Sequence, residues 1–66
     1  MNLIINGEAK RLPVSVNIKY LVGHYQFDPL KVVIEHNSKI IKRDEWGNVF
    51  LKENDKIEAI SFVGGG

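Results

Sequence analysis

Asn6-Gly7, directly after the apolar run Leu3-Ile4-Ile5, is the strongest short-range hairpin signal in the chain. Both residues tolerate positive φ, as a two-residue hairpin turn that follows the natural twist of its strands requires. Strand one is therefore expected over Asn2 to Asn6, with Leu3 and Ile5 on one face. A second strand is expected through about Lys10 to Val14. Pro13 has no N–H to give to a ladder, so this second strand lies at a sheet edge or ends there.

A helix follows, capped by Ser15 or Asn17, in which Ile18, Leu21, Val22 and Tyr25 fall at i, i+3, i+4 and i+7 and make one core-facing stripe. Gly23 weakens it by up to about 1 kcal/mol relative to alanine, and Asp28-Pro29 stops any continuation. Lys31 to His36 carries Val32, Val33 and Ile34 in a row, the pattern of a strand at the centre of a sheet. Asn37-Ser38 turns the chain into a short Lys39-Ile40-Ile41 strand. Arg43 to Trp46 forms a helical turn that ends at Gly47-Asn48, and Val49-Phe50-Leu51 leads to the polar turn Lys52-Glu53-Asn54-Asp55. The last strand covers about Lys56 to Phe62.

This order predicts an α+β domain, a mixed sheet of four to five strands with one main helix packed on one face. The handedness of crossovers leads us to expect strand three parallel to strand one, with the N-terminal and C-terminal strands side by side at the centre. That is the ubiquitin-like β-grasp arrangement. The domain is expected to cover residues 1–63, with residues 64–66 expected as a flexible glycine tail.

A chain of 66 residues makes one domain. It buries only about 60% of the surface its unfolded form exposes, which leaves little room for an enclosed catalytic pocket. Its 44% hydrophobic and 26% charged residues are ordinary for a soluble globular domain. The net charge is +1, and the two signs alternate, as in Glu8 with Lys10 and Arg11, so there is no basic stripe for nucleic acid. Leu3-Ile4-Ile5 is too short for a signal peptide or a membrane span, so no membrane partner is expected and the cytoplasm is the expected compartment. The absence of cysteine excludes a disulfide framework, a thiolate metal site and a persulfide-bearing side chain.

Side chains suited to catalysis lack partners. His24 and His36 have no ligand-spaced neighbours, so a structural or solvated role is expected for each and no bound metal or cofactor is expected. Ser15, Ser38 and Ser61 lack a nucleophile-elbow setting. Trp46 is expected in the core or as a lid, and Asp44 and Glu45 beside Arg43 in a solvated turn.

The end of the chain is more informative. Along the last strand Glu58, Ile60 and Phe62 share one face, and because Glu58 is unsuited to a core, Ile60 and Phe62 are expected to point outward. With Val33 on the outer face of strand three and Val63 beside the tail, they form a candidate docking surface. Gly64-Gly65-Gly66 then closes the sequence. It cannot be a phosphate loop, which needs a following helix with Lys and Ser or Thr. Extended, three such residues reach about 10 Å, so the tail reads either as an inert chain end or as a slim arm that carries a carboxylate into a narrow channel.

The Asn6-Gly7 turn, Val32-Val33-Ile34-Glu35-His36-Asn37, Ile40-Ile41, Arg43 followed by Trp46, Asp55 and the ending Phe62-Val63-Gly64-Gly65-Gly66 together resemble the ThiS sulfur carriers of thiamine biosynthesis, over the whole chain. Family members often have Gly where this chain has Ser38 and Pro where it has Lys42; both departures fall in turns. The Gly-Gly ending is shared with ubiquitin-like modifiers and molybdopterin-type sulfur carriers, which are the alternative readings. The resemblance implies a protein cosubstrate, not an enzyme. Its Gly66 carboxylate would be adenylated by a ThiF-like enzyme that consumes ATP, then converted to a thiocarboxylate with sulfur from a cysteine-derived donor, and the sulfur would be delivered to thiazole synthase. Gly64 and Gly65 would present the reacting atom.

Overall fold

The first turn adopts the backbone its residues favour, with φ of 52° at Asn6 and 81° at Gly7. In the computed structural model, which describes residues 1–62, this turn joins β1 (Asn2–Ile5) to β2 (Glu8–Arg11). A turn of two residues leaves Glu8 directly opposite Ile5, so β2 starts before Lys10, where it was expected, and ends at Arg11, ahead of Pro13. It lies at the sheet edge, as a proline-terminated strand should.

Asn17, not Ser15, caps α1 (Ile18–His24); its side-chain oxygen accepts the Tyr20 N–H at 2.8 Å. Ile18, Leu21 and Val22 are buried, and Tyr25 is half-buried just past the helix end. The helix stops well short of Asp28-Pro29. Gln26 turns to a φ of 59°, its N–H bonds to Gly23 C=O, and Phe27 N–H bonds to Val22 C=O. That pair of bonds is a Schellman closure, built here without the usual glycine.

β3 (Val32–His36), β4 (Lys39–Ile41), a 3₁₀ helix at Arg43–Asn48 and β5 (Lys56–Ser61) complete the chain, and the sheet order is β2-β1-β5-β3-β4. β1 and β5 are parallel neighbours, as expected of the terminal strands. The central strand is β5, whereas β3 lies one place out. β3 is antiparallel to β5, hence antiparallel to β1, which corrects the expected direction of strand three. The handedness rule relates the strand that enters a crossover to the strand that leaves it, and the strand entering α1 is β2. β2 and β3 do run parallel, and the gap between them is filled by β1 and β5.

Leu3, Ile5, Ile34 and Ile57 on one face of the sheet pack with Ile18, Leu21 and Val22 of α1, and Leu12, Val32, Trp46 and Leu51 complete the core. Trp46 is therefore a core residue. Its indole N–H is satisfied by the Ile41 carbonyl at 3.1 Å, so its burial leaves no orphan donor.

Candidate functional site

The period of two along β5 sorts its side chains. Ile57 is fully buried and Ala59 half-buried against the core, while Glu58, Ile60 and Phe62 emerge on the other face. Ile60 is 46% exposed and Phe62 61%, the outward placement expected of both. Val33 lies directly opposite Ile60 in the antiparallel β3–β5 pair, so these two form one cross-strand apolar contact surface. Two residues that the sequence reading passed over widen the apolar area: Ile4 of β1 and Ile40 of β4 are both exposed. The signal for them was the same alternation, since Leu3 and Ile5 point inward on either side of Ile4 and Ile40 faces Glu35 across the ladder.

Phe62 N–H bonds to Lys31 C=O at 2.8 Å, so the chain is held beside β3 up to the last residue described. Val63, Gly64, Gly65 and Gly66 lie outside the described residues. Asn6 supports the same strand from the other side: its N–H bonds to Ile57 C=O, and its side-chain oxygen accepts the Ala59 N–H at 2.7 Å. The hairpin turn thus extends the β1–β5 pairing beyond the end of β1.

His36 has a partner that its sequence neighbours do not reveal. Its Nε2 lies 2.7 Å from Asp55 Oδ2, which also accepts the Lys52 N–H at 2.9 Å, while Asp55 Oδ1 accepts from Asn37 Nδ2 at 3.1 Å. Asn37 Oδ1 in turn accepts the Lys56 N–H. Burial pushes the Asp55 carboxyl up, but the hydrogen bonds from His36, Asn37 and the Lys52 N–H together hold it below its ordinary value. This cluster ties the β3–β4 turn to the start of β5, the opposite end of that strand from Phe62. It is structural. His24 is exposed on α1 and stacks on Tyr20 with ring centroids 5.6 Å apart.

A cleft of about 520 Å³ lies between α1 and the 3₁₀ helix, with Val22, Phe27 and Trp46 in its lining and Lys19, Arg43 and Asp44 beside them. It contains no histidine and no paired carboxylates. Among the described residues no group of three or more His, Cys, Asp or Glu is placed to hold a metal ion, and no helix is long and apolar enough to cross a membrane. Among the described residues the candidate site is an outward sheet face with Ile4, Val33, Ile40, Ile60 and Phe62, running up to Phe62, the last of them.

The ThiS family model matches residues 3–66, a span that includes the tail. The chain belongs to the ThiS family. It is 39% identical over 65 residues to the sulfur carrier protein ThiS of Bacillus subtilis, covering 97% of this chain and 98% of that one. A thiazole synthase of Paramagnetospirillum magneticum is 35% identical over all 66 residues, which are only 20% of that protein's length. The crystal structure of the thiamine biosynthesis protein ThiS from Geobacter metallireducens superposes with a TM-score of 0.87 at 28% identity, covering both chains completely. The five-stranded sheet with one helix is thus the ThiS version of the ubiquitin-like β-grasp fold.

Proposed function

We propose that the chain is a sulfur carrier of thiamine biosynthesis, a protein cosubstrate that bears sulfur as a thiocarboxylate at Gly66. The observation that carries this reading is the ThiS family match running through the three terminal glycines, supported by the end-to-end likeness to the Bacillus subtilis sulfur carrier. Thiazole synthases that contain a stretch similar to this chain support thiazole synthase as the acceptor of the sulfur.

The chemistry follows from the properties of a terminal carboxylate. With a pKa near about 3.5 it is ionised at neutral pH and is a poor electrophile, so a sulfur nucleophile does not attack it unaided. A ThiF-like enzyme supplies ATP: a carboxylate oxygen of Gly66 attacks the α-phosphorus, pyrophosphate leaves, and the resulting acyl-adenylate carries AMP as a good leaving group. A hydrosulfide equivalent from a cysteine-derived donor then displaces AMP and leaves the thiocarboxylate. Gly64 and Gly65 present no side chains to a narrow channel, while Val33, Ile60, Phe62 and Val63 dock the domain against the partner. No cysteine competes for the activated carbonyl.

The test is incubation with the cognate adenylating enzyme, ATP and a sulfur source, followed by intact mass measurement. Replacement of one oxygen by one sulfur at Gly66 is the expected result. Isopeptide conjugates to lysines of other proteins would instead establish a ubiquitin-like modifier, and an unchanged mass would overturn both readings.

A further inference from the structure

Gly23 of α1 and Gly47 of the 3₁₀ helix both line the cleft of about 520 Å³ between these two elements. Neither has a positive φ, unlike Gly7, and a Cβ added at either would meet nothing within 4 Å outside its immediate neighbours along the chain. Backbone conformation therefore does not require glycine at these places, and neither does crowding inside the domain. Glycine weakens a helix, so at Gly23 the fold gives up stability for nothing that it uses itself. Together the two glycines leave the cleft open to a close approach by another backbone.

The charge beside them is mostly positive. Lys19 is one turn before Gly23 on the same side of α1, and Arg43 opens the 3₁₀ helix. Asp44 also lines the cleft, but the ion pairs among the described residues are Lys10–Glu8 and His36–Asp55, so it neutralises neither cation. Arg43 Nη1 donates to Pro29 C=O at 3.4 Å, which holds the guanidinium against the loop before β3. That loop adjoins the end of β5, because Lys31, two residues after Pro29, accepts the Phe62 N–H. β4, which leads into Arg43, is separated from β5 by β3 alone, so at about 4.8 Å per strand the step from β5 to Arg43 is about 10 Å. The four residues that follow Phe62 span about 13 Å when extended.

We propose that this cleft is a binding site for the chain's own end, with the Gly64-Gly65-Gly66 backbone against Gly23 and Gly47 and the Gly66 carboxylate between Lys19 and Arg43. A segment without side chains suits walls without side chains, and a carboxylate suits a planar guanidinium with an ammonium nearby. The free carrier thus holds its reactive end in reserve, and the adenylating enzyme has to displace it before the carboxylate enters the channel. This inference rests on the sulfur-carrier reading, which supplies both the free Gly66 carboxylate and the enzyme that competes for it.

The experiment compares nitrogen-15 NMR spectra of the full chain with those of a chain lacking Gly64 to Gly66. Deletion is expected to move the Gly47 amide and Trp46 indole signals while leaving those of Glu8 to Arg11, at the far sheet edge, in place. Added NaCl is expected to move the wild-type signals toward those of the shortened chain. Gly23→Leu fills the cleft with a side chain that suits a helix, so it frees the tail without unfolding the domain. If the tail is held half to nine-tenths of the time, its release lowers KM for the carrier in sulfur loading by about two- to tenfold. Gly47 and Trp46 signals that ignore the deletion overturn the inference, as does an unchanged or higher KM for Gly23→Leu. Signal movement that fades on dilution places the tail of a second copy in the cleft and overturns the assignment to the chain's own. Unmoved signals in a chain that gains sulfur normally defeat only this inference. Moved signals in a chain that never gains sulfur defeat the carrier reading and strip the contact of its role.

Discussion

Asp55→Ala removes the acceptor of three hydrogen bonds at a residue only 9% exposed, and it leaves Lys52 N–H, Asn37 Nδ2 and His36 Nε2 to find other partners. Hydrogen bonds to a charged group contribute about 1.5 to 3 kcal/mol each when counted singly, but water reaches parts of this cluster, so a net loss of about 2 to 4 kcal/mol is expected. A domain of this size has a total stability of about 3 to 10 kcal/mol, so the variant loses a large fraction of it. At about 4 to 8 °C per kcal/mol, Tm should fall by roughly 8 to 32 °C at pH 7. Thermal melts by circular dichroism across pH 2 to 7 would measure this. The sign of the pH effect follows from the lowered carboxyl pKa in the folded state. The stabilisation is fully present above the unfolded value of about 3.9 and is lost as pH falls through the folded value. Wild type and Asp55→Ala should therefore converge in Tm at the acid end. A Tm within a few degrees of wild type at neutral pH, or a gap that stays constant down to pH 2, would refute the assignment of Asp55 as the anchor of β5.

Ser38 holds a φ of 72° in the turn after β3, where a Cβ is strained, so Ser38→Gly is expected to stabilise the fold by about 0.5 to 1 kcal/mol in denaturant titrations. Phe62→Asp changes a side chain that is 61% exposed, so Tm should stay within a few degrees of wild type while the rate of sulfur loading by the adenylating enzyme falls. A large drop in Tm would show that Phe62 packs in the core. One residue added after Gly66 should abolish the mass gain on incubation with the adenylating enzyme, ATP and a sulfur source, because the electrophile must be the last carbonyl; loading of the untrimmed, extended chain would contradict the mechanism.

Local signals predicted most of what positions the candidate docking face. Asn6-Gly7 names its own turn, Ile18, Leu21 and Val22 mark the buried side of α1, and Glu58 sets the parity that sends Ile60 and Phe62 outward. Features that depend on pairing between distant segments were not readable in this way. Asp55 meets His36 across 19 positions, and no local period ties them. The direction of β3 depended on which strand of the hairpin feeds the helix, a question that apolar spacing does not address. The early end of α1 turned on Gln26 entering the left-handed region, where side-chain identity offers little warning.

The place of β5 between two neighbours has a mechanical side. Under the proposed mechanism a pull transmitted through Phe62 loads this strand, which β3 pairs from Ile57 to Ser61 and which β1 and Asn6 hold from Lys56 to Ala59. Inter-strand hydrogen bonds run crosswise to that pull, so they are loaded in shear and must yield together instead of opening one after another like a zipper. A carrier working as proposed would take such a load through the β3–β5 and β1–β5 ladders at once.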